Sequence, residues 1–312
     1  MAASAVKRLF GAGPGNRIEQ KPIADPPAVC GAVPCHGVTH AGHALLQSVA
    51  GPPAAEPEER PTSPVPIVGA PCANAAAVPE QLAGPEEALA PASITREELE
   101  LPNQNERRRG AFAFVLHDVF TLAECAAMIA ASEARGYDQA LVNTGHSQIL
   151  DTSYRNSMRN IWDTPETAAE THTRIAPHLP NEAEPQRFGY VTAPELLKCD
   201  GINERLRFLR YDPGDFFAAH KDGCYQRPDR SAQSYLTLML YLNSGGGVDY
   251  AGGETSFVSQ SGGQPDVALV PRAGDVLIFT HPVLHQGNEV TGGRKYAVRT
   301  DVMYSSGEPE NE

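Results

Sequence analysis

Two histidines and an aspartate place the tightest constraint on how this chain can fold. His220 and Asp222 lie two residues apart, and alternate residues of a β-strand point to the same face. On a strand, both side chains can therefore reach one metal ion, with His285 as a third ligand. An isolated H-x-D has little weight, because 10 histidines and 14 aspartates in 312 residues give roughly half an occurrence by chance. The residues around this motif decide whether it indicates a metal site.

The first hundred residues differ in composition from the rest of the chain. Of the 27 prolines, 16 lie in residues 1–102, together with alanine-rich runs and no sustained hydrophobic period. Such a segment cannot bury enough apolar surface to offset the chain entropy lost on folding. We predict a mostly disordered Pro/Ala-rich segment over residues 1–100, a folded domain over residues 101–305 and an acidic tail over residues 306–312.

The charge of the chain argues against a nucleic-acid partner. The net charge is −13, and residues 1–110 carry 9 basic and 12 acidic groups, so −10 falls on the remainder. Counter-ion release from nucleic acid needs clustered Lys and Arg, and the one basic run is Arg107 to Arg109. We expect that run to be a solvated linker.

The sequence also predicts a cytoplasmic protein without a membrane partner. It contains no apolar stretch of about 18 residues, and its N-terminus lacks the apolar core of a secretory signal. Six scattered cysteines show no regular framework, which favours a reducing compartment. The oligomeric state stays open.

Local signals predict helices first and strands later. Thr121 and Glu124 form a capping-box pattern with Gly136 as a stop, and Thr164 with Pro165 starts a second helix. We therefore expect helices to dominate residues 120–180. After residue 200, runs of β-forming residues separated by Gly or Pro predict a sandwich or jelly roll. These runs are 206–211, 235–242, 267–270, 276–279 and 296–304.

Several ordered motifs together resemble one family. They are Tyr211 to Gly214 (YDPG), His220 to Asp222, Tyr235 to Leu242, Gly252 to Phe257 (GGETSF), Pro271 to Phe279, and His285 followed by Val290, Gly293 and Lys295. This set resembles the catalytic domain of the prolyl 4-hydroxylase-like branch of the 2-oxoglutarate/Fe(II) dioxygenases. The resemblance runs from about residue 110 to 304 and is densest from 205 onward.

The resemblance implies a fold and a set of ligands. The fold would be α+β, a double-stranded β-helix (jelly roll) braced by helices. His220, Asp222 and His285 would ligate Fe(II) as a 2-His-1-carboxylate facial triad, which leaves positions open for other ligands. Lys295 would pair with the C5 carboxylate of the co-substrate 2-oxoglutarate. Members of this branch commonly use L-ascorbate to restore over-oxidised iron.

Each of these assignments has a rival. His281 lies four residues before His285, but only His285 is followed by the Val-Gly-Lys pattern. Arg299 would face the same side of a strand as Lys295 and offers bidentate geometry, although the spacing favours Lys295. Tyr211 and Thr237 match positions that line the co-substrate pocket, or they are core residues with satisfied hydroxyl groups.

The resemblance implies hydroxylation of a C–H bond, most directly in a prolyl residue of a peptide or protein. A free amino acid or another small molecule is the alternative substrate, because a fold does not fix a substrate. A non-catalytic jelly-roll binding module is the alternative class. We expect Arg227 and Arg230, in the loop after Asp222, to favour acidic substrates, and Arg155 and Arg159 to form surface salt bridges.

Overall fold

The computed structural model describes residues 94–143, 147–184, 197–260 and 264–305. All of them belong to one of the two units into which the chain divides. Residues 1–93 and 306–312 lie outside the described residues, so the predicted disordered segment and acidic tail stay predictions. In the described parts, no helix combines the length and apolarity that a membrane crossing requires.

The helices begin where their capping residues predict. Thr121 accepts a hydrogen bond from the backbone N–H of Glu124 at 3.1 Å, and the Glu124 carboxylate accepts from the backbone N–H of Thr121 at 2.8 Å. This reciprocal capping box starts the longest helix, and Gly136 with φ 83° ends it. Thr164 caps the next helix by accepting a hydrogen bond from the backbone N–H of Thr167. The helices are α1 (Gln104–Arg108), α2 (Leu122–Arg135) and α3 (Pro165–Ile175), followed by a 3-10 turn at Ala176–His178.

A strand corresponds to each of the five runs predicted after residue 200, with a difference of at most three residues at either end. The described strands, in chain order, are β1 (Thr95–Leu99), β2 (Ala113–His117), β3 (Asp138–Gln139), β4 (Val142–Asn143), β5 (Gln148–Ile149), β6 (Arg155–Asn156), β7 (Met158–Asp163), β8 (Glu182–Ala183), β9 (Leu197–Ile202), β10 (Arg205–Tyr211), β11 (Phe216–His220), β12 (Ala232–Tyr241), β13 (Tyr250–Gly252), β14 (Thr255–Phe257), β15 (Val267–Leu269), β16 (Val276–Thr280), β17 (His285–Gly287), β18 (Val290–Gly293) and β19 (Lys295–Ser305).

The prediction that helices dominate residues 120–180 is wrong between α2 and α3, where β3 to β7 lie. The longest of these strands, β7, pairs antiparallel with β10 along six residues. Pairing with a distant strand decides this segment, because β-structure depends on its neighbours more than on local preference. Strand β1 begins at Thr95 and pairs with β2, so the sheet includes residues just before position 101.

Two antiparallel sheets form the body of the fold. Ten strands form the major sheet, in the order β1-β2-β16-β12-β19-β10-β7-β3, with β9 pairing to β19 and β8. Five strands form the minor sheet, in the order β15-β14-β17-β11-β6. Strands β10, β12, β16 and β19 of the major sheet alternate along the chain with β11, β14 and β17 of the minor sheet. This alternation is that of a double-stranded β-helix, so the predicted α+β jelly roll is confirmed.

Residue parity on β12 and β19 decides which side chains reach the site. Even-numbered Leu236, Leu238 and Leu240 pack with residues of α2 and α3 in one apolar cluster. Odd-numbered Tyr241 packs instead with Phe257 of the minor sheet. Because alternate residues of a strand point to opposite faces, the odd positions of β12 from Thr237 onward and positions 295–301 of β19 with odd numbers face the space between the sheets. Before Thr237 the rule fails, because the register shifts between Ser234 and Leu236 and Tyr235 packs in the helix-side cluster.

Candidate metal centre

Two neighbouring strands of the minor sheet bring the histidines together. His220 on β11 and His285 on β17 are direct partners in the antiparallel register, and their ring centroids lie 4.2 Å apart. Asp222 lies just beyond the end of β11, not on the strand as the spacing predicts. Its backbone N–H donates to the carbonyl of His281 at 3.0 Å, which fixes the chain where the strand has ended.

The three side chains converge on one point. The Nε2 atoms of His220 and His285 lie 3.8 and 3.7 Å from the carboxylate oxygens of Asp222. One ligand atom from each residue lies within 4.8 Å of the other two. The side chains of His220, Asp222 and His285 are only 12%, 10% and 9% exposed. The geometry fits a single metal ion held by two imidazoles and one carboxylate.

Hydrogen bonds fix the tautomer of each histidine. Nδ1 of His220 lies 2.8 Å from the carbonyl oxygen of Ala218, and Nδ1 of His285 lies 3.0 Å from that of Val283. A carbonyl oxygen only accepts, so Nδ1 carries the proton in both rings and Nε2 offers its lone pair. Backbone carbonyls commonly orient metal-binding histidines in this way.

The charge states also suit a divalent metal. Burial, reinforced by the neighbouring His285, lowers the pKa of His220 to about 3, and burial lowers the pKa of His285. Burial alone would raise the pKa of Asp222, but Arg299 and the imidazoles outweigh it and hold that pKa well below its usual range. At neutral pH the site therefore presents two neutral imidazoles and one carboxylate, the forms that bind metal.

Aromatic side chains hold the imidazoles in place. The ring of Phe217 stacks on His220 with centroids 3.7 Å apart. The ring of Phe279, from the major sheet, meets His285 edge-on at 4.5 Å. The two contacts restrict rotation of both imidazoles and keep water from that side of the site.

Asp222 has two further partners, both on the major sheet. The Thr237 hydroxyl donates to Oδ2 at 2.5 Å, and Nη2 of Arg299 lies 3.1 Å from Oδ1. Arg299 also lies 3.2 Å from Asp301. The structure therefore places Thr237 and Arg299 at the metal end of the space between the sheets.

Lys295 lies at the other end of the same strand face. Four residues separate it from Arg299, about 13 Å along a strand. Its side chain is buried, with the residue only 3% exposed, and Nζ donates to the carbonyl of Gly253 at 2.7 Å. Burial lowers its pKa to about 8, and Glu254 opposes that shift. Among the described residues, no carboxylate forms an ion pair with this ammonium group.

Two tyrosines flank Lys295. Its Nζ lies 5.5 Å from the ring centres of both Tyr211 and Tyr241, and Tyr211 is the direct partner of Lys295 in the β10–β19 register. The sequence singles out Tyr211 but misses Tyr241. The alternation along β12 is the signal that could have found Tyr241, since it shares a face with Thr237.

The sequence also misses the role of two arginines. Arg155 is 8% exposed, with its guanidinium 4.5 Å from the ring centre of Phe217, so the expected surface salt bridge is wrong. Arg207 lies 3.3 Å from Asp301. Arg155 sits on the two-residue strand β6, which is too short to leave a periodic signal in the sequence.

The loop after Asp222 departs from expectation at one arginine. Arg227 forms a bidentate pair with Glu204, with both distances 3.0 Å. This pairing occupies the guanidinium that was expected to favour acidic substrates. Glu254 lies outside the metal cluster and accepts a hydrogen bond from the side-chain amide of Asn288 at 3.2 Å.

The comparisons with known proteins concern the part of the chain that carries this centre. Residues 206–300 match the model of the 2OG-Fe(II) oxygenase superfamily. A PKHD-type hydroxylase of Psychrobacter sp. (strain PRwf-1) is 33% identical over 99 residues, which cover 31% of this chain and 36% of that protein. The match thus spans about a third of the length of the curated relative.

Several of the similar solved structures are those of prolyl hydroxylases. A viral collagen prolyl hydroxylase from Paramecium bursaria Chlorella virus-1 is 19% identical, covering 62% of this chain and 96% of its own, with a TM-score of 0.39. A Pseudomonas putida prolyl-4-hydroxylase is 16% identical, covering 68% and 93%, with a TM-score of 0.37. A Trichoplax adhaerens prolyl hydroxylase is 14% identical, covering 64% and 90%, with a TM-score of 0.43.

These identities and TM-scores are too low to transfer a substrate or an activity. The family match has more weight, because it includes His220, Asp222, His285 and Lys295. Residues 206–300 of this chain, which include all four of these positions, are thus similar to the 2OG-Fe(II) oxygenase superfamily.

Proposed function

We propose that the protein is an Fe(II)- and 2-oxoglutarate-dependent dioxygenase that hydroxylates a C–H bond. One observation carries the proposal. Three ligand atoms converge within 4.8 Å on the minor sheet, and a buried lysine without a carboxylate partner among the described residues lies across from them on the major sheet. A metal ion and a dicarboxylate would satisfy both features.

In this proposal, His220, Asp222 and His285 hold the iron through two Nε2 atoms and one carboxylate. When bound, Fe(II) would activate dioxygen, which is the oxidant, while 2-oxoglutarate would supply two electrons and leave as succinate and carbon dioxide, and the substrate C–H bond would supply the other two and gain a hydroxyl group. The protein orients the ligands and excludes water. Two neutral imidazoles and one anion leave a divalent ion with a net positive charge, which favours an anionic co-substrate.

Lys295 is the proposed anchor for the C5 carboxylate of 2-oxoglutarate. A charge-assisted hydrogen bond in a buried site contributes more than a neutral one, and Tyr211 and Tyr241 line the same end of the space. Arg299 is the alternative anchor, but its guanidinium lies beside Asp222 at 3.1 Å, nearer the metal end. L-ascorbate as a reductant of over-oxidised iron is part of the proposal on the strength of the resemblance alone.

The proposed substrate is a prolyl residue of a peptide or protein. The ordered motifs from Tyr211 to Lys295 support this reading, because they resemble the prolyl 4-hydroxylase-like branch more than other branches. The match to a PKHD-type hydroxylase supports hydroxylation as the outcome.

A small molecule that carries a carboxylate, such as a free amino acid, is the second candidate. The observation that favours it is the charge around the metal centre. Among the described residues, Arg155, Arg207 and Arg299 lie near the carboxylates of Asp222 and Asp301, and a divalent metal would add two more positive charges. An anionic group on the substrate would reduce this excess.

A turnover assay across matched substrates separates these readings. Proline-containing peptides, free proline and other free amino acids are each supplied as the acid and as the amide, with Fe(II), 2-oxoglutarate and oxygen. Succinate and a gain of 16 daltons are measured, with the His220→Ala variant as the inactive control. Modified peptides support the first reading, and turnover restricted to free acids supports the second. Binding of iron and 2-oxoglutarate without succinate under any condition would instead identify a binding module.

A further inference from the structure

A buried histidine outside the ligand set contacts the metal centre indirectly. His281 is 0% exposed, and both of its ring nitrogens have hydrogen-bond partners. Nδ1 lies 2.9 Å from the hydroxyl oxygen of Thr237, and Nε2 lies 2.9 Å from that of Ser234. It follows directly after β16 of the major sheet, whereas both histidine ligands belong to the minor sheet.

The donors and acceptors around His281 can be assigned in only one direction. Thr237 donates its single hydroxyl proton to the Asp222 carboxylate, because an ionised carboxylate only accepts. Thr237 must then accept from Nδ1–H of His281. In a neutral imidazole, Nε2 then carries no proton and accepts from the Ser234 hydroxyl, whose oxygen accepts from the backbone N–H of Tyr225 at 2.9 Å.

His281 also holds the backbone of Asp222. Its carbonyl oxygen accepts the Asp222 N–H at 3.0 Å, and its own N–H donates to Tyr235 on β12 at 3.1 Å. His281, directly after the last residue of β16, thus fixes the main chain of Asp222 by its own carbonyl group and the Asp222 carboxylate through Thr237. These contacts hold Asp222 at a position beyond the end of β11, where its backbone pairs with no other strand.

We infer that Thr237 and His281 are positioning residues that fix the Asp222 carboxylate in the orientation that binds the metal. This inference rests on the proposed metal site. Thr237 holds Oδ2, and Arg299 lies against Oδ1, so the carboxylate cannot rotate freely about its last bond. A ligand held in its bound orientation loses less conformational freedom when the metal arrives. Removing such an outer hydrogen bond typically lowers metal affinity or activity by about 10–100-fold.

The test measures Co(II) affinity by the visible absorption of the bound ion, without turnover. Thr237→Val keeps the shape of the side chain and removes the hydroxyl, and Thr237→Ser restores a hydroxyl. We expect Thr237→Val to bind Co(II) about 10–100-fold more weakly than the wild type and Thr237→Ser to recover most of that loss. His281→Asn, which retains a donor near the position of Nδ1, should bind more tightly than His281→Leu.

A matched control is available on the neighbouring strand. Thr280 is fully buried, and its hydroxyl oxygen has no hydrogen-bond partner among the described residues. Thr280→Val should therefore leave Co(II) affinity unchanged, and circular dichroism before each titration selects folded samples. Equal affinities for Thr237→Val, Thr237→Ser and the wild type would overturn the inference while leaving the metal site intact. A wild-type protein that binds neither Co(II) nor Fe(II) would overturn the proposed function itself.

Discussion

The two sheets contribute different chemistry to the site and differ in how visible that chemistry is in the sequence. The minor sheet supplies His220 and His285 from β11 and β17, strands of five and three residues. The major sheet supplies Thr237, Lys295 and Arg299 from β12 and β19, strands of ten and eleven residues. The histidine ligands lie on short strands, with Asp222 just beyond the end of one of them, and the groups that neutralise and orient the ligands lie on long, buried strands.

The histidines that bind the metal therefore lie on one sheet, and the residues that orient or neutralise the ligands lie on the other. The long strands are held by many backbone hydrogen bonds and by the apolar cluster beneath α2 and α3, so they form a rigid wall. The short strands carry few such bonds and depend on contacts across the gap, such as that between His285 and Phe279. We therefore expect ligand substitutions on the minor sheet to remove the metal without unfolding the protein. Substitutions on the major sheet should act indirectly: on 2-oxoglutarate affinity at Lys295, on metal affinity through the Asp222 carboxylate at Thr237, or on stability.

The largest effect is expected on the minor sheet. His220→Ala and His285→Ala should each weaken Fe(II) binding by more than about 100-fold, because loss of an outer partner alone typically costs about 10–100-fold. Anaerobic titration calorimetry measures this, and circular dichroism checks the fold. His178→Ala, at a histidine outside the ligand cluster, is the matched control. Wild-type affinity in either ligand variant would assign the metal to other residues.

On the major sheet, Lys295→Ala should separate co-substrate binding from metal binding. A buried charge-assisted hydrogen bond is worth roughly 1.5–3 kcal/mol, so the concentration of 2-oxoglutarate required should rise about 10–100-fold at 1.4 kcal/mol per decade. Fe(II) affinity should not change. Lys198→Ala, at an exposed lysine of β9, is the control. A small change in the required 2-oxoglutarate concentration in Lys295→Ala, with a large change in Arg299→Ala, would identify Arg299 as the anchor.

The pH dependence of 2-oxoglutarate binding tests the same role of Lys295, and its expected effect is smaller. Burial lowers the pKa of Lys295 to about 8, and a dicarboxylate binds the protonated form. Affinity for 2-oxoglutarate should therefore be nearly constant below pH 8 and fall as the pH rises through it. The expected loss between pH 7 and pH 9 is about tenfold. The Lys295→Ala variant should lack this dependence, and an unchanged wild-type profile would show that Lys295 is not the titrating anchor.

The smallest effect is expected at the edge of the major sheet, far from the centre. Nδ1 of His117 lies 2.7 Å from Asp275 and Nε2 lies 3.0 Å from Glu97. Burial lowers the pKa of His117, but these two carboxylates outweigh it and the net pKa is raised. The stabilisation is therefore full below pH 6.5 and is lost as the pH rises through the raised value.

His117→Gln should accordingly lower the free energy of unfolding by at most about 1 kcal/mol at pH 5.5 and by less at pH 8.5. Urea denaturation at the two pH values measures the difference. Fe(II) and 2-oxoglutarate affinities should stay at wild-type values, and a clear loss of either would mean that the edge and the centre are coupled.

The sequence predicts those parts of the molecule whose signals are local. The capping box at Thr121, the strands after residue 200 and the H-x-D motif are each readable within a few residues, and the distal His285 is marked by the Val-Gly-Lys pattern that follows it. The contact between Thr237 and Asp222 joins residues 15 positions apart, and that between Thr237 and His281 joins residues 44 apart. Only the register of the strands brings these groups together. From the sequence alone, His281 is therefore an alternative to His285 as a metal ligand.

The short strands β3 to β6 are hidden for a related reason. A strand of two residues has no period to detect, and tertiary pairing alone defines it. Arg155 lies on such a strand, and its burial beside Phe217 follows from the sheet, not from its neighbours in the chain.

The central claim is that the two sheets together bind Fe(II) and 2-oxoglutarate, and anaerobic visible absorption tests it most directly. Adding Fe(II) and then 2-oxoglutarate to the wild-type protein should produce a weak metal-to-ligand charge-transfer band. The band should be absent in His220→Ala and should require more 2-oxoglutarate in Lys295→Ala. A folded wild-type protein that gives no band at saturating concentrations of both would contradict the account.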